Sequence, residues 1–225
     1  MSKKRIGIAV MALGMFLWAA AAYASPEAPR LLPPPMALPV PSGFLKVLLL
    51  LTFFVHLVLV NVLLGSVILS VIDRRASASD RKGGVAFMPK VLALAVNFGV
   101  APFLFLQVLY GHFLYPSIVL MAVWWMFVAL FAMLAYYGLY VSDGAVRPAR
   151  RTPILFLSAL LLLMTAFLLS NASTLMLRPD FWFRWFSEPH GHLLNTSDPT
   201  LFPRYLHILL ASLADDGLAR PVEQA

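Results

Sequence analysis

Two of the five histidines, His56 and His207, stand inside apolar runs, where a neutral imidazole keeps one ring nitrogen free to bind a metal. A polar group in such surroundings is costly unless it finds a partner. For His56 two partners are open: an interhelical hydrogen bond to Asn97 or Gln107, or the iron of a haem. His207 follows Arg204 and Tyr205, which put it near a membrane interface. His112 comes directly after Gly111 at a helix end and reads as interfacial. His190-Gly191-His192 lacks a third ligand at a defined spacing and reads as a solvated loop. The chain has no cysteine, which excludes disulfides, iron–sulfur clusters, zinc–cysteine sites and covalently attached haem. A redox cofactor would have to be held noncovalently, by histidine.

The acidic residues narrow the chemistry further. All ten (Glu27, Asp73, Asp80, Asp143, Asp180, Glu188, Asp198, Asp215, Asp216 and Glu223) fall outside the long apolar runs. A pump or antiporter that works through carboxylates in the membrane has no residues to use here, and no inverted repeat suggests a permease. Other polar groups in the apolar runs include Asn61, Asn97, Gln107, Ser170, Asn171 and Ser173.

The elements that must carry these residues are membrane helices. The chain is 225 residues long, 61% hydrophobic and 12% charged, too few charges to cover a soluble globule. Four apolar runs, Leu45–Ile72, Val91–Tyr115, Ile118–Val141 and Pro153–Leu177, each exceed the ~20 residues an α-helix needs to cross ~30 Å of hydrocarbon. None alternates with period two, which excludes a β-barrel. The expected fold is an all-α polytopic bundle with four transmembrane helices plus an incomplete fifth. The net charge of +7 is read as loop charge that sets orientation, not as a nucleic-acid footprint.

Residues 1–24 read as a signal peptide or uncleaved signal anchor: Lys3, Lys4 and Arg5, an apolar stretch, then Ala22-Tyr23-Ala24. Residues 25–43 form a Pro-rich external lead-in, 44–214 the membrane domain and 215–225 a polar tail. The basic segments 73–82 and 147–151 belong in the cytoplasm, so a tight turn at Gly111–Ser117 and the segment Arg178–Pro203 lie outside. This is the arrangement of a multi-pass protein of a bacterial-type inner membrane with its mature N-terminus in the periplasm. The fifth run, Leu201–Ala214, would reach only about 21 Å at 1.5 Å per residue. It is either a half-inserted segment completed by a partner or, the favoured reading, the start of a helix cut short by truncation.

Phe181-Trp182-Phe183-Arg184-Trp185-Phe186 is the densest aromatic cluster and reads as an interfacial anchor, with a quinone-ring or haem-edge contact as the sharper alternative. In their order these segments resemble the N-terminal half of subunit I of the cytochrome bd quinol oxidases. The resemblance rests on the run from Phe54 through His56 to Gly65, on Asn97-Phe98-Gly99-Val100-Ala101 with Gln107-Val108-Leu109-Tyr110-Gly111, on Ser170-Asn171-Ala172-Ser173 with Arg178-Pro179, and on Asp198-Pro199 ahead of Arg204-Tyr205-Leu206-His207.

That resemblance implies noncovalent haem b with His56 and His207 as iron ligands, and a second haem of b or d type. It also implies electrons from quinol and a second membrane subunit or cytochrome as partner. It puts Gln107 in a cofactor-binding position, where the family carries a glutamate, and lets Arg178, Arg184 or Arg204 pair with haem propionates. The family's acids on a proton route are replaced by Val119 to Ala122, so the implied role is electron transfer rather than complete oxygen reduction. The rival from another class is a cofactor-free structural or assembly subunit.

Overall fold

Long runs of leucine, valine and alanine with hardly a charge make helices that are apolar all round, and such helices are stable only when buried in protein or lipid. The structure, a computed structural model, describes residues 38, 40–72, 78–143 and 148–223, leaving aside the side chains of 78–85, 148–149 and 215–223. The helices are α1 (Ser42–Ile72), α2 (Ala78–Leu120), α3 (Ala122–Asp143), α4 (Pro148–Met176) and α5 (Leu201–Glu223), with a 3-10 helix at Pro179–Phe186. There is no strand among the described residues. Four helices are long and apolar enough to cross a membrane: Ser42–Ile72, Ala86–Leu120, Ala122–Asp143 and Arg150–Met176. The chain is a helical membrane protein. The expected signal segment and most of the lead-in lie outside the described residues.

α1 packs chiefly against α2, α3 against α4, and α5 against α1. One half of the core joins Leu63, Leu64 and Val67 of α1 to Val91 of α2, Leu139 of α3 and Leu162 of α4. The α3–α4 seam is closed by small residues: a Cβ on Gly138 would collide with the buried Ser158 hydroxyl. Close backbone approach of this kind drives helix association in lipid, where no hydrophobic force favours one apolar partner over another.

The loop between the second and third spans differs from expectation. In place of a turn at Gly111–Ser117, the chain kinks at Tyr110 (φ −133°, ψ 26°) and stays helical to Leu120, so the reversal falls at Met121. Membrane helices tolerate an interior proline such as Pro116. Beside it the Ser117 hydroxyl donates to the Leu114 carbonyl at 2.7 Å.

The segment after α4 folds back over this reversal and completes it. The Val123 amide donates to the Gly191 carbonyl and the Leu193 amide to the Leu120 carbonyl, both at 3.0 Å. The last carbonyls of α2 and the first amides of α3 have no partners within their own helices, and residues 191–193 supply them. Gly191 makes this fit possible: its φ is +68°, and a Cβ there would press on Ala122 at 3.1 Å. We call this the cap end of the bundle. α5 continues as backbone helix past its apolar portion, Leu201–Ala214, to Glu223.

Candidate functional site

His56 lies in the seam between α1 and α2. Its Nδ1 is 2.8 Å from the carbonyl oxygen of Ala95, a buried residue on α2. A carbonyl can only accept, so the proton of the neutral ring is on Nδ1 and Nε2 carries the bare lone pair. The expected alternatives, Asn97 and Gln107, are not the partners. Asn97 is exposed and donates to Ala93 of its own helix at 2.8 Å, and Gln107 is half-buried more than two turns further along.

Gly99 explains why the ring can reach that carbonyl. A Cβ at position 99 would stand 2.8 Å from Cε1 and 2.9 Å from Nδ1 of His56, closer than real side-chain atoms approach. The ring therefore occupies the space that a missing side chain leaves on α2. On its own helix it is flanked by Phe53, with ring centroids 6.4 Å apart and planes inclined by 27°. The Ala95 carbonyl is also the one that the Gly99 amide meets in a regular helix, so it serves both a helical and an interhelical donor.

His207 is placed differently. Tyr205, Ile208 and Ser212 turn towards the bundle, with the Tyr205 hydroxyl 3.3 Å from the Leu163 carbonyl and Ser212 fully buried. His207 is exposed on the other side of α5, with Leu206 and Leu210, and no hydrogen bond orients it among the described residues. Metal-bound histidines usually have the second ring nitrogen fixed by a carbonyl or carboxylate; His56 meets that condition and His207 does not. His190 and His192 are exposed, and no group of three or more metal-binding side chains occurs among the described residues.

A second polar constellation closes the cap end, and only parts of it stand out in sequence. Asn171 and Thr174 on α4, Asn195 in the cap segment and Asp198 before α5 are all buried. The Asn195 amide donates to Asn171 Oδ1 at 3.1 Å, while its side-chain Nδ2 lies 3.4 Å from Thr174 Oγ1 and 3.3 Å from Asp198 Oδ2. The Thr200 amide donates to Asp198 Oδ1 at 2.7 Å, and the Thr200 hydroxyl donates to the same oxygen. Arg178 reaches Asp198 at 3.3 Å through Nη1 and Asp180 at 2.9 Å through Nη2. Burial alone would raise the Asp198 carboxyl, but the Thr200 donors and Arg178 outweigh it and hold it below the usual carboxylate range. Asp180 is held low mainly by its hydrogen bond from Arg178, and the Arg178 guanidinium is pushed up by the same contact. Asn195 has no counterpart in the sequence reading. The signal was present as Asn195-x-x-Asp198-x-Thr200 ahead of an apolar run, the pattern of an Asx turn leading into a helix.

Two small cavities lie at this end. One, of about 150 Å³, is lined by Pro116, Val119, Leu120, Trp182 and Trp185. The other, of about 70 Å³, is lined by residues that include Thr174, Arg178, Asp198, Thr200 and Arg204. The chain matches no protein-family model, no curated protein and no solved structure.

The His56 seam passes a limited test as a haem-binding position. Its donor chemistry fits, since Nδ1 is fixed and Nε2 is bare. Neither of the two cavities at the cap end is lined by His56.

Proposed function

We propose that this chain is a membrane haem-binding electron-transfer subunit, similar in role to subunit I of the cytochrome bd quinol oxidases, with His56 as the iron ligand. The observation that carries the reading is the Nδ1 contact to the Ala95 carbonyl, which fixes the tautomer and leaves Nε2 as a donor. Bound there, haem supplies one-electron redox chemistry, and electrons drawn from quinol would pass to a partner subunit or cytochrome. The chain's own contribution is to orient the imidazole through Ala95, admit it through Gly99, and surround it with apolar helix that keeps water away.

On this reading His207 is the ligand of a second haem only where another subunit covers the exposed face of α5. The basic segments 73–82 and 147–151 support an inner-membrane protein with those loops in the cytoplasm and the cap end in the periplasm.

The cofactor-free reading also has an observation in its favour. The His56 ring fills the space above Gly99 and ties α1 to α2 by itself, which is a sufficient structural role. A reduced-minus-oxidised spectrum of the detergent-purified chain, made in haem-replete cells, separates the two. The proposal expects a Soret band that is lost in His56→Ala and kept in Asn97→Ala. A colourless wild-type preparation would establish the structural reading.

A further inference from the structure

In the cap-end cleft of about 70 Å³ most of the charged and polar side chains are already engaged with one another. The carboxylate in its lining, Asp198, is already met at both oxygens: Oδ1 takes the Thr200 amide and hydroxyl, and Oδ2 takes Asn195 Nδ2 and Arg178 Nη1. The Thr174 hydroxyl is likewise spent, donating to the Asn171 carbonyl at 2.8 Å. Arg178 is held by two carboxylates. Arg204 is the exception. It is half-buried one turn into α5 and lines the same cleft, yet among the described residues no hydrogen bond or ion pair engages its guanidinium. A partly desolvated guanidinium with no counterion, beside a carboxylate whose lone pairs are taken, is a position for an anion.

We infer that this cleft binds a single oxyanion, a phosphate or carboxylate, with Arg204 as its principal donor and Arg178 beside it. Two sources share this chemistry: the phosphate of an anionic lipid and the propionate of a tetrapyrrole, the latter resting on the haem reading above. The site stands independently of the His56 reading, because the lipid source needs no haem.

Native mass spectrometry of the full chain tests this, using protein from haem-deficient cells titrated with phosphatidylglycerol or phosphatidylcholine, and haem-replete protein assayed for bound haem. The inference expects Arg204→Gln to weaken either phosphatidylglycerol binding or haem retention by roughly tenfold or more, as loss of a charged hydrogen bond does. Loss in the first arm names lipid phosphate as the source, and loss in the second names the propionate. Arg204→Lys should recover part of the binding. Arg150→Gln should leave it unchanged, because that side chain is exposed at the opposite end of α4 and lies outside the cleft lining. Folding of each variant is checked by its thermal transition. If folded Arg204→Gln matches wild type in both arms, the oxyanion site is refuted.

Discussion

The α1–α2 seam and the cap end solve opposite problems. In the seam a single polar side chain, His56, is anchored to a backbone carbonyl among apolar residues, and packing carries the rest. At the cap end the chain leaves its helices, exposes carbonyls and amides, and satisfies them through Asn171, Asn195, Asp198, Thr200 and Arg178. The seam can lose its polar contact and remain a pair of packed helices. The cap cannot lose Asp198 without leaving several donors unmet. A polar group that organises a fold is recognised by how many partners it saturates, whereas one that keeps a lone pair free in an apolar seam is a candidate for chemistry.

That contrast predicts a ranking of effects. The largest is Asp198→Ala, which strips four donors of their acceptor. The loss should be about 3 kcal/mol, the upper scale for leaving buried donors such as the Asn195 amide group without an acceptor, seen as a lower thermal midpoint in detergent and faster proteolysis within 187–200. Gly99→Ala comes next. Its methyl group must displace the His56 ring, at about 1–3 kcal/mol for overpacking, and on the haem reading the Soret band falls with it. Removing the tie alone, in His56→Leu, should cost about 1 kcal/mol or less, since a net hydrogen bond is worth that much and the leucine fills part of the space. Asp180→Asn is the smallest, within about 0.5 kcal/mol, because its partner in the ion pair is solvent-accessible and its own side chain is 62% exposed. If Asp180→Asn destabilised more than Asp198→Ala, the division between organising and peripheral groups would fail.

The same carboxylates set an acid limit. Asp198 and Asp180 are both depressed in the folded chain, so each contributes stability that is fully present above its unfolded value near 3.8 and is lost as pH falls through the folded value. The thermal midpoint should therefore be flat from neutral pH down to the ordinary carboxylate range and fall below it. The fall should be shallower in Asp198→Asn.

Much of the fold was legible because hydrophobic runs of span length report directly on helices in a bilayer. The four spans are found where composition puts them, and His56 stands out as the polar residue most out of place. The α2–α3 reversal was not legible: a turn was expected at Gly111–Ser117, while the helix kinks at Tyr110 and continues through Pro116 to Leu120. Nor could the partner of His56 be read. Side-chain amides are visible in a sequence, but every residue carries a carbonyl, and the choice of Ala95 depends on how closely Gly99 lets α1 approach. Asn195 was missed for a related reason. Its contact with Asp198 is local, but its role comes from joining residues 171 and 174 to that turn, separations of 24 and 21 positions that no local pattern encodes.

The central claim, that His56 offers Nε2 to iron, is tested most directly by chemical rescue. His56→Gly protein from haem-replete cells should lack the Soret band that wild type shows, and imidazole added with haem should restore it. Undiminished haem in His56→Gly without imidazole would contradict the claim and leave His56 as a tie between two helices.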